Sequence, residues 1–224
     1  MQDYYAARAP EYDRVYEKPE RQADLRAIEA WLPPRFAGKR VLEVACGTGW
    51  WTRFIAPVAS EVVALDAAPE TLAIARARLG DGARVQWIVG DAYDLPRPRE
   101  PYDAAFAGFW LSHVPVSRRR SFLAGLHAAL RDGATVVLLD NRYVEGSSTR
   151  VAERDAEGNG YQLRRLDDGT THRVLKNFPD EAELRAMVSG VAAHVDVVTW
   201  PHYWALAYTV AHASAGRAPD RHRR

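Results

Sequence analysis

Short apolar runs alternate with amphipathic stretches along the first two thirds of the chain. The apolar runs predict β-strands over residues 40–45, 61–65, 85–89, 103–107 and 134–139. Apolar residues at helical spacing predict helices over residues 19–32, 49–58 and 69–80, and a fourth helix that Ser117 caps and Gly133 ends. Strands that alternate with helices in this way form right-handed βαβ units, so we expect a mainly parallel sheet.

The last third of the chain has a different pattern. Two strand-like segments, 161–166 and 170–176, flank Asp167-Asp168-Gly169, a sequence that favours a β-hairpin turn. The remaining predicted elements are a helix over residues 180–189 and apolar runs over 191–199 and 203–210. A short turn joins the two apolar runs, so they predict an antiparallel strand pair that completes the sheet.

The composition is that of an ordinary globular domain. The chain has 224 residues, of which 47% are hydrophobic and 26% are charged, which is enough for one substantial core. Its 30 Lys and Arg residues balance 29 Asp and Glu residues, giving a formal net charge of +1. This balance argues against a general electrostatic surface for nucleic acid or an anionic membrane. We therefore expect no nucleic-acid partner.

Several features of the chain lead us to expect a cytoplasmic protein. Cys46 is the only cysteine, so no intramolecular disulfide can form, and a small buried thiol in a reducing compartment is expected. The first residues lack the basic start and apolar run of a secretory signal. No apolar stretch approaches the ~20 residues needed to span a bilayer, so we expect no membrane partner.

Residues 213–224 are rich in small and basic residues, and we expect a frayed tail there.

The strongest functional signal is a glycine turn after the first strand. Residues 41–49 are Val-Leu-Glu-Val-Ala-Cys-Gly-Thr-Gly, so a strand runs directly into Gly47 and Gly49. Glycine lets the backbone approach a ligand closely at the carboxyl end of a parallel sheet. Asp66 follows at the end of the second strand. Its distance from Gly47 is close to the ~20 residues expected for a carboxylate that binds the two ribose hydroxyls. The pattern indicates a nucleoside site.

Two features of this turn disfavour a dinucleotide. The third glycine of the pyrophosphate-binding pattern is replaced by Thr52, which follows two bulky tryptophans. Glu43 also places a carboxylate just before the turn, where it would repel a pyrophosphate and attract an ammonium group. We therefore expect a nucleoside that carries positive charge.

Four motifs occur in the order and at the spacing of a known enzyme family. They are the segment 41–49, with Ala45 where glycine is commoner, and the segments 63–66, 89–96 and 106–115. Together they resemble the motifs of the class I S-adenosylmethionine-dependent methyltransferases that act on small molecules. The resemblance covers about residues 1–140 and implies an α/β, Rossmann-like three-layer sandwich. The expected sheet is seven-stranded and mainly parallel, with a C-terminal antiparallel strand pair and an inserted β-hairpin outside the shared core.

The resemblance also implies a domain plan and a cofactor. A single domain is expected over residues 1–212, with an N-terminal lid and helix over 1–35 and the hairpin insertion over 147–178. The implied cofactor is S-adenosyl-L-methionine, whose ribose would bind Asp66 and whose adenine amine would lie near Asp91. The expected cofactor contacts are Tyr4, Tyr12, Arg21, Glu43, Ala45, Gly47, Thr48, Gly49, Thr52, Asp66, Ala67, Asp91, Ala92, Tyr93, Gly108 and Phe109.

Residues after the fourth and fifth strands are candidates for the acceptor side of the site. His113 is the candidate general base, because its loop follows the fourth strand and the histidine pKa of ~6.5 suits proton transfer. A structural histidine that bonds neighbouring backbone is the alternative. Trp110, Asn141 and Tyr143 are the expected substrate contacts. An aromatic wall favours a flat ring or an amine as the substrate.

These observations predict an enzyme that methylates an oxygen or nitrogen atom of a small molecule by direct displacement. Three alternatives stay open: an oxidoreductase that uses NAD or FAD on the same fold, a non-catalytic protein that binds S-adenosylmethionine, and a methyltransferase of RNA or protein. The histidines show no metal-ligand spacing, so we expect no metal. A monomer and a homodimer are both compatible with the sequence.

Overall fold

The computed structural model describes residues 9–80, 82 and 84–211. Its strands are β1 (Arg40–Val44), β2 (Glu61–Asp66), β3 (Val85–Val89), β4 (Tyr102–Gly108), β5 (Leu130–Asn141), β6 (Glu153–Arg154), β7 (Gly160–Arg165), β8 (Thr171–Leu175), β9 (Ala192–Thr199) and β10 (Tyr203–Val210). Its α-helices are α1 (Gln22–Trp31), α2 (Thr52–Ile55), α3 (Pro69–Leu79), α4 (Arg119–Ala128) and α5 (Glu181–Val188). Short 3-10 segments cover Ala9–Tyr16, Pro19–Arg21, Pro33–Phe36, Leu111–His113 and Val116–Arg118.

Seven strands form the main sheet, in the order β3-β2-β1-β4-β5-β10-β9. The first five are parallel, and β10 runs antiparallel to both β5 and β9. Val41 of β1 lies between Val62 of β2 and Ala104 of β4. The order of strands reverses at β1 and β4, and ligands of such sheets bind outside the carboxyl ends of the strands at this switch point. The predicted sheet and its antiparallel closing pair are confirmed.

Helices cover both faces of this sheet. Successive side chains of a strand point to opposite faces, so Val41 and Leu42 enter different cores. Val41 packs in the same cluster as Leu25 of α1, together with residues of α2 and α3. Leu42 packs on the other face with Phe122 of α4 and Leu184 of α5. The molecule is therefore the expected three-layer sandwich.

The predicted boundaries of the fourth helix are wrong at both ends. Ser117 lies inside the 3-10 turn Val116–Arg118, and its hydroxyl donates a hydrogen bond to Glu157 at 2.7 Å rather than capping α4. Gly133 does not end the helix, because β5 already begins at Leu130. Gly133 has a φ of +72° in the part of β5 where the register with β4 shifts. Gly133 therefore marks an irregularity in strand β5 and not the end of a helix.

The predicted helix over residues 49–58 is also too long. Only Thr52–Ile55 is α-helical, and turns occupy the residues on both sides. Pro57 has no N–H to donate to the carbonyl of Arg53, so the helix cannot continue past this point. The long glycine turn consequently leads into a single helical turn.

The hairpin insertion forms a small sheet of its own at the carboxyl edge of the main sheet. Strands β6, β7 and β8 pair antiparallel in that order, and Gly169 gives the predicted turn between β7 and β8 with a φ of +87°. The side chain of Arg14 forms a salt bridge with Asp167 at 2.7 Å, and the backbone N–H of Asp167 donates to Glu11 at 3.2 Å. The inserted sheet is thus tied to the 3-10 segment Ala9–Tyr16.

Some sequence predictions lie outside what the structure describes. Tyr4 and the expected frayed tail at 213–224 are outside the described residues. Within those residues, no helix has the length and apolar character to cross a membrane. The same part of the chain contains no group of three or more His, Cys, Asp or Glu side chains placed to hold a metal ion.

Candidate active site

The chain leaves β1 through a turn with an unusual backbone. Ala45, Gly47 and Gly49 have φ angles of +55°, +56° and +73°, all in the left-handed region. A Cβ atom on Gly49 would lie 3.0 Å from Cβ of Ala75, so the missing side chain lets α3 pack closely on the turn. Phe109, just after β4, is likewise left-handed with a φ of +59°. Strained residues other than glycine therefore flank the switch point from two strands, as is common at functional sites.

Asp66 at the end of β2 is held in one orientation by three donors. The backbone N–H of Gly47 donates to its Oδ2 at 2.8 Å, which links the ends of β1 and β2. The N–H of Ala68 and the hydroxyl of Thr71 donate to Oδ1 at 2.9 and 3.1 Å. Burial raises the pKa of Asp66, although these hydrogen bonds oppose the shift. The result is a fixed carboxylate acceptor on the wall of a cavity.

This cavity, called here the first cavity, has a volume of about 260 Å³ and opens where β1 to β4 end. Asp66 and Asp91 give its wall two carboxylates, while Leu65, Ala92 and Trp110 make the wall apolar elsewhere. A nucleoside needs this combination, because its ribose hydroxyls require acceptors and its flat base packs on apolar groups. The residues present therefore fit the expected cofactor.

Most of the predicted cofactor contacts line the first cavity. They are Tyr12, Ala45, Gly47, Asp66, Ala67, Asp91, Ala92, Tyr93, Gly108 and Phe109. His113 and Trp110 line it as well. Sequence reasoning missed Leu65, Ala68, Thr71, Gly90 and Arg118. The guanidinium of Arg118 lies 3.6 Å from the ring centroid of Tyr93. The one signal for Arg118 in the sequence is the unusual run of three arginines at a helix start.

Four predicted cofactor contacts lie at or behind the glycine turn and are not on the cavity wall. The hydroxyl of Thr48 donates to Asp13 at 2.6 Å, and Thr52 is fully buried, while Gly49 packs on α3. Glu43 is only 1% exposed, and burial raises its pKa to about 8. Its Oε2 atom has no hydrogen-bond partner among the described residues. The part that these four residues take in cofactor binding stays a prediction.

A second cavity, of about 350 Å³, lies between the N-terminal 3-10 segment and the inserted sheet. Tyr12, Phe109 and His113 line both cavities, so the two meet at these three residues, called here the junction residues. Arg21 and Asn141 line the second cavity and not the first. The structure thus brings Arg21, a predicted cofactor contact, to the same wall as the predicted substrate contact Asn141.

His113 is buried at the junction and is only 4% exposed. Its Nδ1 lies 2.6 Å from the carbonyl oxygen of Leu175, and a carbonyl can only accept, so Nδ1 carries the proton. Burial lowers the pKa of His113 well below its usual value, and the positive charges of Lys176 and Arg164 lower it further. The ring is therefore neutral at physiological pH and is a weak base. The contact with Leu175 is the bond to backbone that a structural histidine makes, and the role of His113 as a general base stays a prediction.

A buried ion pair between Lys176 and Asp140 lies beside His113. Nζ of Lys176 donates to Asp140 at 2.8 Å and to the hydroxyl of Ser112 at 2.6 Å. Burial works to raise the pKa of Asp140, but the charge of Lys176 and the hydrogen bonds hold it below its usual value. Lys176 follows β8, and Asp140 belongs to β5. The pair consequently anchors the inserted sheet to the core.

Tyr143, the third predicted substrate contact, is on the wall of neither cavity. Its ring packs edge-on against Phe178 at 5.4 Å, and its hydroxyl donates to Glu145 at 2.8 Å. Phe178 does line the second cavity. Tyr143 therefore contacts a lining residue of the second cavity without lining the cavity itself.

The chain is similar to methyltransferases over much of its length. A family model described as a methyltransferase domain matches residues 41–133. The demethylmenaquinone methyltransferase of Clavibacter sepedonicus is 34% identical over 104 residues, which are 46% of this chain and 42% of that protein. The ubiquinone biosynthesis O-methyltransferase of Xanthomonas axonopodis pv. citri is 30% identical over 178 residues, covering 78% of this chain and 70% of that protein. The chain spans less than half of the first curated relatives that it matches.

Solved structures give a longer match. The complex of DhpI with SAH is 30% identical, has a TM-score of 0.77, and the match covers 93% of this chain and 94% of that chain. This chain belongs to the class I S-adenosylmethionine-dependent methyltransferases. The complex of DhpI with SAM and HEP is 31% identical with a TM-score of 0.73, over 92% of this chain and 94% of that chain. Membership of this methyltransferase family confirms the resemblance, the fold and the cofactor expected from the sequence.

Proposed function

We propose that this chain transfers a methyl group from S-adenosyl-L-methionine to an oxygen or nitrogen atom of a small-molecule acceptor by direct displacement. The observation that carries the proposal is the meeting of two cavities at Tyr12, Phe109 and His113. One cavity has the wall of a nucleoside site, and the other has room for a second small molecule. A methyl group held at the junction would be within reach of both.

The described residues supply binding and alignment on the cofactor side. Asp66 would accept hydrogen bonds from the ribose hydroxyls, and Asp91 would accept one from the adenine amine. The cofactor, when bound, supplies a methyl group on a positively charged sulfur atom. Tyr12 and Phe109 would hold the junction in shape around that end of the cofactor. This arrangement favours a displacement reaction, which depends mainly on the alignment of three atoms.

The junction also limits the access of water. Phe109 and His113 are 7% and 4% exposed, so little solvent reaches the place where the cavities meet. A dry junction leaves the acceptor atom without its hydration shell, which makes it a better nucleophile. Relatives with the printed names ubiquinone biosynthesis O-methyltransferase and 2-phytyl-1,4-naphtoquinone methyltransferase support a small-molecule acceptor.

Calorimetric titration with S-adenosylhomocysteine tests the cofactor half of this proposal. Asp66→Asn replaces a fixed carboxylate acceptor with an amide, and hydrogen bonds to charged groups contribute about 1.5–3 kcal/mol. We expect binding to weaken roughly 10- to 100-fold. Asp94→Asn makes the same change on an exposed carboxylate outside the cavity wall and should leave the affinity unchanged. Equal affinity in all three proteins would contradict the assignment of the first cavity.

Turnover separates an enzyme from a protein that only binds the cofactor. The protein is incubated with cofactor labelled on the transferred methyl group and with a metabolite extract that contains only small molecules. We expect label in a small-molecule product together with S-adenosylhomocysteine, and loss of both in Asp66→Asn. Tight binding of the cofactor with no labelled product in any extract would favour the non-catalytic alternative.

A further inference from the structure

The wall of the second cavity is strongly basic. Six cationic side chains line it: Arg14, Lys18, Arg21, Arg164, Arg165 and Lys176. Glu11 is the one carboxylate on the same wall among the described residues. The carboxylate of Glu11 lies 3.5 Å from the Arg14 guanidinium and accepts a hydrogen bond from the backbone N–H of Asp167. Glu11 therefore interacts mainly with groups at the hairpin turn. Asp167 pairs with Arg14 and Asp140 pairs with Lys176, yet the wall still carries more cations than nearby carboxylates offset. This excess of positive charge favours an anionic ligand.

Arg21 is the clearest member of this set, because it is 4% exposed yet bonds only neutral acceptors. Its Nη1 donates to the side-chain oxygen of Asn141 at 2.9 Å. Its Nε and Nη2 donate to the hydroxyl of Ser147 at 3.1 and 3.0 Å. Among the described residues, no carboxylate lies within 4 Å of the Arg21 guanidinium. A buried cation without a counter-charge is unfavourable, so a ligand that brings the negative charge is implied.

Two more cations converge on the same place. Nζ of Lys18 donates to the backbone carbonyl of Ser147 at 2.5 Å, the residue that Arg21 also binds. Burial lowers the pKa of Lys18, and the positive charges of Arg21 and Arg164 add to the effect. Arg164 is held by two hydrogen bonds to the side-chain oxygen of Gln162, at 3.1 and 2.8 Å. Lys18, Arg21 and Arg164 therefore form a fixed cationic group around one volume.

The exposed carboxylate of Glu20 offsets part of the charge of this group, since it opposes the lowering of the Lys18 pKa. Among the described residues, however, it forms no salt bridge with Lys18 or Arg21. Glu20 accepts a hydrogen bond from the hydroxyl of Ser147 at 2.7 Å at the protein surface. Lys176, by contrast, is already paired with Asp140. The positive charge of Arg164 also reaches His113, whose pKa it helps to lower. Lys18, Arg21 and Arg164 line the same cavity as the junction residue His113, so an anion bound by this group would share a cavity with the junction.

We propose, on the basis of the function proposed above, that the acceptor is a small oxyanion bound by Lys18, Arg21 and Arg164, and that an oxygen of this anion receives the methyl group. The anion is of the carboxylate class or of the phosphate class, which includes phosphonates, since both present the charged oxygens that Arg binds in pairs. Methylation converts it into an ester.

The reaction balances without a base. An electron pair of the acceptor oxygen forms the bond to the methyl carbon while the bond from that carbon to sulfur breaks. The electron pair of the broken bond stays on sulfur, which becomes a neutral thioether, and no proton is released. A hydroxyl or amine acceptor would instead release one proton per turnover. An oxyanion acceptor therefore needs no proton acceptor at the junction.

Calorimetric titration of the complex with S-adenosylhomocysteine tests the binding step. The probes are ethylphosphonate and propionate, with neutral propionamide and cationic propylammonium as comparisons. We expect at least one anion to bind, and neither comparison to do so. Binding of ethylphosphonate alone assigns the phosphate class, and binding of propionate alone assigns the carboxylate class. Binding of neither anion, or equally good binding of propionamide, overturns the proposal.

Charge-removing variants test which residues hold the anion. Arg21→Met and Arg164→Met should each weaken binding of the anion roughly 10- to 100-fold. Arg21 is buried, so Arg21→Met could fail to fold. Lys18→Met changes a less buried side chain of the same group and tests the assignment in that case. Arg150→Met makes the same change outside the cavity wall and should have no effect. Unchanged anion affinity in Arg21→Met, Arg164→Met and Lys18→Met would overturn the assignment.

The same titrations keep the two proposals distinguishable. Lys18→Met and Arg164→Met should bind S-adenosylhomocysteine like the parent protein, because neither residue lines the first cavity or is an expected cofactor contact. Arg21 is an expected cofactor contact, so Arg21→Met is compared by its anion affinity alone, at saturating S-adenosylhomocysteine. Loss of that binding in the parent protein would refute the proposed function while the anion titration, repeated without S-adenosylhomocysteine, still reports on the second cavity.

A proton count tests the transfer step. The anion that binds best is used as the acceptor in weak buffer with a pH indicator, well above the highest pKa of that anion. We expect S-adenosylhomocysteine and an ester to form with no proton released. Release of one proton per S-adenosylhomocysteine, or the absence of the ester from the products, would overturn methylation at the oxyanion.

Discussion

Ala45 shows how a single backbone angle constrains the glycine turn. It is left-handed at a φ of +55°, a conformation that costs an L-residue with a Cβ about 1–2 kcal/mol. The strain explains why glycine is the natural choice at this place in the motif. Ala45 lies on the wall of the first cavity, so the strained turn belongs to the site itself.

Ala45→Gly should therefore stabilise the protein. Relief of the strain outweighs the greater entropy of glycine in the unfolded chain, which costs about 0.4–1 kcal/mol. We expect the free energy of unfolding in urea to rise by up to about 1 kcal/mol. Ala77→Gly, in the exposed middle of α3, should instead lower it by roughly 0.5–1 kcal/mol. A loss of stability in both variants would contradict the strain at Ala45.

Glu43 should make the stability of the protein depend on pH. Burial raises its pKa from 4.5 to about 8, so the folded protein holds a proton on Glu43 that the unfolded chain loses above pH 4.5. The stabilisation is complete below the unfolded pKa and disappears as the pH rises through the folded pKa, at about 1.4 kcal/mol per pH unit. Glu43→Gln does not titrate and serves as the reference. We expect the difference in unfolding free energy, parent minus variant, to fall by a few kcal/mol between pH 5 and pH 9. A constant difference would refute the raised pKa.

At the scale of elements, the buried pair of Lys176 and Asp140 joins the inserted sheet to β5. Lys176→Met leaves Asp140 buried without its counter-charge, and breaking a buried pair in this way costs about 3–5 kcal/mol. We expect a loss of that size in the free energy of unfolding. Adding Asp140→Asn removes the stranded charge and should restore part of the loss.

A surface pair provides the control for this prediction. Arg131 lies 2.8 Å from Asp103, but 59% of its side chain is exposed. Arg131→Met should cost less than about 1 kcal/mol. If Lys176→Met costs no more than Arg131→Met, the inserted sheet is not anchored through Asp140.

The sequence predicted most elements because their signals are local. Strands β3 and β10 lie where the apolar runs predict them. The turn at Asp167-Asp168-Gly169 is predicted by its own residue types, and it joins β7 to β8. The failures have tertiary causes. Ser117 offers a capping hydroxyl, but Glu157 of the insertion binds it, and Gly133 marks a bend in β5 that no periodicity reveals.

At the scale of the whole molecule, the two cavities differ in how far the sequence predicts them. The first cavity forms where consecutive parallel strands end, so the strand pattern alone brings Gly47, Asp66 and Asp91 together. The second cavity is assembled from segments far apart in the chain. Lys18 and Arg164 are separated by 146 positions (164 − 18) and meet only because the inserted sheet folds over the N-terminal segment. No local pattern in the sequence contains that information.

A crystal structure of the protein with S-adenosylhomocysteine tests the central claim most directly. We predict that the ribose hydroxyls bind Asp66 and that the sulfur atom lies at Tyr12, Phe109 and His113, facing the second cavity. A nucleoside bound elsewhere, or a sulfur atom turned away from these three residues, would contradict the account of how the two cavities work together.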